Sequence, residues 1–515
     1  MPVLADNVIA TSQPLASQAG AAMFARGGNA VDAIVAAAAT LVVVEPIMNG
    51  LGSDAFAMLW DGKEIAALNA SGHSPAAWTP ERFAGHAKMP AEGWDSVTVP
   101  GAVSAWIALW RRHGTLPLDE LFAPAMRYAS EGFPVSPRIA RQWAAQVPRL
   151  AKQPGFADAF LPGGSAPKVG ERFRFPAVAK SLARIAQTEG RDFYEGGIAE
   201  AIVAHARAHG GALSMDDLAS HRADWVEPTR LAYRDAEVLE LPPNGQGVAV
   251  QIALGILRHF DLSSRTPQAT RMHLQIEAMK IAFADVYRWV TDPRFMPMGV
   301  ADLLAPDYLA QRAAAIDPQR AAQWQARELA PGNTVYLAAG DASGRLVSYI
   351  QSNFQGFGSG VVVPEVGVSL LNRGTGFSLD PSHPNIVAGR KRPFHTILPA
   401  MLMQGGLPLA ALGVVGADMQ PQGQVQVIGD LLDRGANPQS ALDLPRWRIA
   451  EDDGRIRLES QVPSEVAETL ASWGHRVEIA DPASLEFGGA QMVHRVGDAW
   501  AGASDFRRDG VAAGC

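Results

Sequence analysis

The chain has 515 residues, 48% hydrophobic and 19% charged, with a net charge of -8. That balance supplies a large core and excludes an intrinsically disordered chain. Its charge is spread without long runs, which leaves no footprint for nucleic acid or for an anionic membrane surface. The single cysteine, Cys515, excludes an internal disulfide, and the histidines form neither HExxH nor another tight ligand spacing. No metal and no cofactor are therefore expected. The opening MPVLADNVIATSQPLASQAG lacks a basic stretch followed by an apolar one, so no secretory signal and a cytoplasmic location are expected. The apolar run from Ala33 to Val44 is about a dozen residues, where a membrane span needs about 20.

In chain order, residues 14–44 read as helical, with Asn29 as a cap and Glu45-Pro46 as the stop. NGLGSD (49–54) reads as a turn, and AFAMLW and EIAALNAS read as strands on either side of Asp61-Gly62. Residues 100–330 are mostly helical segments broken by Pro and Gly, with one strand candidate from Tyr233 to Leu241. The texture changes at Pro331. TVYLAAG and RLVSYIQSNF read as paired strands about a turn at Asp341–Gly344, and AMLMQG/LPLAALGVVG and QMVHRV/AWAGAS read as later pairs. VQVIGDLLDRG and VPSEVAETLASWG are helix candidates between them. Length alone suggests about three domains, but layered units often exceed that rule.

Two motif matches carry no chemistry. Gly356-Phe-Gly358-Ser-Gly360 is followed by strand-like VVVPEVGVSLL, whereas a phosphate-binding glycine loop must open a helix. Ser165-Ala-Pro-Lys168 fits SxxK but sits in a Gly/Pro-rich loop. The informative place is Pro331-Gly-Asn-Thr334, where a polar loop runs into a buried strand that starts with threonine. A threonine hydroxyl needs a base beside it. If cleavage made Thr334 an N-terminus, its α-amine, with a pKa near 7.7–8.0, would be that base. Most threonines at strand starts are structural, and the spacing alone does not decide between the two.

Ordered stretches along nearly the whole chain resemble the γ-glutamyltransferase family of N-terminal nucleophile hydrolases. They are GGNAVDAIVAAAATLVVVEP, VPGAVSAWIALWRRHGTLPLDELFAPAMRYASEGFPVSP, FYEGGIAEAI, LPPNGQG and IEAMKIAFAD, then GFGSGVVVP, RPFHTILPAM, DLPRWR and GASDFRRDG. The resemblance implies an α+β fold, a four-layer αββα sandwich built from both products of self-cleavage. A large piece, 1–333, and a small piece, 334–515, would share one core. It implies attack of Thr334 on the carbonyl of Asn333, and then Thr334 as the nucleophile of an amidohydrolase. Ser352 stands where the family has threonine and would hydrogen-bond Thr334. The family's oxyanion hole, a pair of glycine amides, maps onto Gly416-Ala-Asp-Met419-Gln420, with Met419 and Gln420 as the expected donors.

The substrate residues depart from the pattern. Ser71 falls where γ-glutamyl enzymes carry a carboxylate-gripping arginine, and Gly376 where they carry an acid for the substrate ammonium. Arg373 replaces a polar amide, and His395-Thr396 replaces a serine pair. An arginine in that place attracts a carboxylate and repels an ammonium. The expected substrate is a small carboxylated amide, as in the branch of the family that contains oxamate amidohydrolase and similar to glutaryl-type acylases. A glutathione hydrolase or transpeptidase with a rearranged pocket and an uncleaved binding protein are the alternatives. The expected partners are a small-molecule amide and the two pieces of the same chain, with a homo-oligomer left open.

Overall fold

The computed structural model describes residues 2–323, 332–482 and 484–515. Most of the polar loop expected before Thr334, including Pro331, lies outside them. The two large sheets use strands β1 (Val3–Ala5), β2 (Val8–Thr11), β3 (Asp54–Trp60), β4 (Ile65–Asn69), β5 (Asp224–Val226), β6 (Thr229–Tyr233) and β7 (Ala236–Glu240). They are completed by β8 (Asn333–Gly340), β9 (Leu346–Phe354), β10 (Ala400–Gln404), β11 (Leu407–Val415), β12 (Gly489–Val496), β13 (Ala499–Ser504) and β14 (Val511–Gly514). The first sheet runs β1-β13-β12-β11-β10-β7-β6 and the second β14-β2-β8-β9-β3-β4-β5. Each neighbouring pair in the central run β2-β8-β9-β3-β4 is antiparallel.

The strands alternate strictly between two apolar environments, as the period of two requires. Tyr336 and Ala338 of β8, Ile350 of β9 and Phe56 of β3 meet Leu239, Met401 and Ala411 of the other sheet. Val335, Leu337 and Ala339 face the opposite way, onto helices α1 (Pro14–Ala25) and α2 (Ala30–Val44). On the far side, Val238, Leu402, Leu412 and Met492 pack under α3 (Gly247–Leu257), α4 (Gln268–Trp289) and α5 (Met419–Leu432). The result is the αββα sandwich. Because both faces of the inner strands are buried, they read in sequence as apolar runs rather than as alternating patterns.

Asn29 caps α2 as expected, in a full capping box with Asp32, a feature worth about 1 kcal/mol. Two local expectations differ from the structure. The strand candidate Tyr233–Leu241 is the second half of a hairpin, β6 and β7, which turns at Arg234 with φ 56°. Helix α5 starts at Met419, ahead of the expected VQVIGDLLDRG (425–435), and so takes in Pro421 and Gly423. Proline is tolerated there because first-turn amides have no intrahelical partner to lose.

Candidate active site

Thr334, Ser352 and Asp54 continue the inter-sheet face of β8, β9 and β3, at the end where the sandwich opens into loops. The β8–β9 ladder shifts register between Asn333 and Val335, so Thr334 sits in a bulge. A bulge is a common device for re-aiming a side chain at a sheet end. Thr334 is 3% exposed. Its Oγ1 donates to Ser352 Oγ at 3.1 Å, and Ser352 Oγ donates to the carbonyl oxygen of Asn333 at 2.8 Å. Ser352 also accepts the amide of Phe354 at 2.8 Å. In the continuous chain, therefore, the hydroxyl of Thr334 is tied through one serine to the carbonyl immediately before it.

Arg373 is 1% exposed. Its Nη1 donates to Thr396 Oγ1 at 2.9 Å, and its Nη2 lies 3.4 Å from Ser352 Oγ. The guanidinium stacks 4.4 Å from the ring of Phe354, whose backbone is held at φ 77°. Its Nε has no hydrogen-bond partner, and among the described residues no carboxylate forms a salt bridge with it. Burial pulls its pKa down to about 9, and the charge of Asp54 partly offsets that pull. A sealed cation without a directly paired anion is costly, and an anionic ligand would relieve the cost.

His395 is fully buried and bonds Asp54 Oδ2 through Nε2 at 3.1 Å. Its Nδ1 accepts the amide of Ile397, so Nε2 carries the proton. Burial, with Arg373 and Arg392 nearby, holds its pKa well below the usual histidine value, so it is a neutral donor. Asp54 also accepts the amide of Gly72 at 3.2 Å. Only glycine fits there, because a Cβ on residue 72 would meet the carbonyl oxygen of Val99 at 1.6 Å. Ser71 stands apart from Arg373. Its hydroxyl is tied to Asn69 Oδ1 at 2.7 Å and to the side chain of Asn244.

The turn after β11 carries Gly416 with φ 120° and Ala417 with φ 51°. The amides of Met419 and Gln420 donate to the carbonyls of Gly416 and Ala417, 3.0 Å each. They are therefore already engaged within the turn. Gln420 instead reaches Thr334 Oγ1 with its side-chain Nε2, at 3.4 Å, while its Oε1 accepts the amide of Leu398. Gln246 ties this turn to the His395-Thr396 segment, donating to the carbonyls of Thr396 and Ala417. An open cleft of about 810 Å³ lies against Phe354 and Gly376, walled by Met89, Phe377 and Leu379.

The structure thus brings Thr334, Ser352, Asn333, Arg373, Thr396 and the side chain of Gln420 together, with His395 one contact behind. Sequence reasoning missed Asp54, Gln246 and Phe354. Asp54 had a signal: a carboxylate heading a strand buried up to its last residue, hidden by reading 49–54 as a plain turn.

Away from this site, the ligand atoms of His273, Glu277 and His475 lie within 4.8 Å of one another. Spacing could not reveal that cluster, because the two histidines are 202 residues apart. Lys280 already donates to Glu277 at 2.7 Å and supplies the cationic charge there. Glu277 and Lys280 in turn hold the backbone of Ala322, so the cluster ties down the chain upstream of Thr334.

The family model described as Gamma-glutamyltranspeptidase matches residues 16–515. The chain is 37% identical to the glutathione hydrolase-like YwrD proenzyme of Bacillus subtilis, over 99% of this chain and 98% of that protein. It is 36% identical to the oxamate amidohydrolase proenzyme of Klebsiella pneumoniae, over 97% of each. The fold is similar to the crystal structure of cephalosporin acylase from Bacillus halodurans, with a TM-score of 0.95 and 41% identity, covering 100% of this chain and 97% of that one. Among the described residues no helix is long and apolar enough to cross a membrane.

Proposed function

Since the chain belongs to the gamma-glutamyltranspeptidase family, we propose that it is a proenzyme that cuts itself between Asn333 and Thr334 and then hydrolyses the amide bond of a small carboxylated substrate. The relay from Thr334 Oγ1 through Ser352 Oγ to the Asn333 carbonyl carries this reading. Ser352 polarises the carbonyl that Thr334 Oγ1 attacks. The C–N bond breaks, the acyl group moves to Oγ1, and the hydroxyl proton ends on the departing nitrogen. Water then hydrolyses the ester, leaving a carboxylate on Asn333 and a free α-amine on Thr334.

In the mature site that amine takes the proton of Oγ1 as Thr334 attacks a substrate carbonyl, and returns it to the leaving amine. With the amides of Met419 and Gln420 engaged, the oxyanion donors in this reading lie two residues earlier, at Ala417 and Asp418. Their left- and right-handed conformations in succession, φ 51° and then -71°, form a nest in which consecutive N–H groups converge. Arg373 is the anchor for the substrate carboxylate, supported by its burial and the lack of a paired acid. His395 and Thr396 hold the surroundings of that anchor, and Ser71 supports the wall behind them.

The names of the relatives support amide hydrolysis, and the absence of an acid at Gly376 favours an acyl group without an ammonium. Mass spectrometry of the purified protein with a panel of oxamate, a glutaryl amide and a γ-glutamyl amide tests the reading. The expected result is a cut before Thr334, an acyl adduct on the small fragment and turnover of a substrate without an α-ammonium. A γ-glutamyl amide turned over as fast as the best other substrate would overturn the substrate assignment. A protein that stays whole would overturn the proenzyme.

A further inference from the structure

Asp54 is a second charged group in the acyl pocket, and nothing in the reaction so far uses it. It pairs directly with Ser352 in the β9–β3 ladder, and directly opposed residues share a sheet face. Ser352 is also a neighbour of Arg373 Nη2. Asp54 is fully buried, with Oδ1 on the Gly72 amide and Oδ2 on His395. The charged and titratable groups that face it are Arg373, Arg392, the neutral His395 and, more distantly, Tyr194. The pocket therefore holds one acid under the influence of two guanidinium groups, and Arg392 is already paired with Asp224 at 2.7 Å.

Resting on the reading of Arg373 as the carboxylate anchor, we infer that a substrate carboxylate enters this pocket together with one solvent proton, which Asp54 holds while the pocket is occupied. The reason is charge balance. An ionised Asp54 and a substrate carboxylate would be two anions in a site sealed from water, where like charges strongly disfavour double ionisation. The Asp54 carboxylate accepts from the amides of Gly72 and Gly101 and from His395, and a carboxylate with about four lone-pair sites still has one left for the proton. Burial already raises its pKa to about 7, with Arg373 and the Gly72 amide opposing the rise, so a further anion tips it to the neutral form. The sign follows directly. Below that pKa the proton is already present and affinity does not change with pH. Above it each bound carboxylate must capture a proton, and KM for a carboxylated substrate climbs about tenfold per pH unit.

The test uses the mature enzyme with oxalate and glutarate as competing acids. Calorimetry at about pH 8, in two buffers of different ionisation heat, should find about one proton taken up per acid bound. Asp54→Asn should abolish that uptake and flatten the inhibition constant, which in the unaltered enzyme rises about tenfold per pH unit above neutrality. Acids that bind without proton uptake would overturn the role of Asp54 and leave Arg373 as the anchor. Uptake that persists in Asp54→Asn would move the proton to another group, such as the Thr334 amine, and would equally overturn it. If neither acid competes and Arg373→Met leaves inhibition and turnover alike unchanged, the anchor itself falls, and the proton inference with it.

Discussion

At the scale of single residues, the proposed reaction gives three side chains separable jobs. Thr334→Ala removes the attacking oxygen, so the protein should remain one full-length band on a denaturing gel and release no product. Ser352→Ala keeps the nucleophile but takes away the hydrogen bond to the Asn333 carbonyl. Loss of one such donor typically costs about 10²–10³ in rate, so cutting should slow by that order in a time course, and Ser352→Thr should recover it. Arg373→Met exchanges a buried cation for an apolar chain of similar length. Truncating one partner of a buried charge pair costs roughly 2–5 kcal/mol, which predicts a fall of about 30-fold or more in kcat/KM for a carboxylated amide. The same variant should lose little against a neutral acyl amide, a contrast that steady-state kinetics on the two substrates would read.

At the scale of elements, the site depends on where strands end. The bulge at Thr334, the left-handed Phe354 at the end of β9 and the left-handed Ala417 after β11 all lie at the same end of the sandwich. Ala417 Cβ also lies near the chain just before Asn333, within 3.1 Å of where a side chain on Gly332 would begin. An alanine in the left-handed region costs roughly 1–2 kcal/mol, partly offset by the greater unfolded freedom of glycine. Ala417→Gly should therefore stabilise the protein by about 1 kcal/mol, seen as a higher urea midpoint with cutting preserved. A lower midpoint would show that the alanine methyl contributes packing that outweighs the strain.

At the scale of the whole molecule, residue 333 divides the sequence but not the sheets. Strands β2, β3, β4 and β5 precede the proposed cut, yet β8 and β9 insert between β2 and β3. In the other sheet β10 to β13 lie between β1 and the β6–β7 hairpin. Separating the pieces would break both ladders and expose the inter-sheet core. The two fragments should co-elute on size-exclusion chromatography after cutting and part only in denaturant. Fragments that separate in native buffer would overturn this arrangement.

The residues themselves determined a good deal. The capping pattern at Asn29, the hairpin turns and the buried strand headed by Thr334 were legible because they depend on neighbours in the chain. Ordered motifs made the family and the αββα layering readable as well. What only the tertiary structure decided involves residues far apart in sequence. Ser352 was expected beside Thr334, but its contact with the Asn333 carbonyl follows from a register shift that no local pattern encodes. The amides of Met419 and Gln420 were expected to face the reaction, yet the turn engages them, and the side chain of Gln420 arrives in their place. Asp54, 319 residues before Arg373, became part of the pocket only because β3 pairs with β9. Sequence spacing carries local periodicity and the order of motifs, whereas the charge balance of a buried site depends on which distant strands the folded sheet sets side by side.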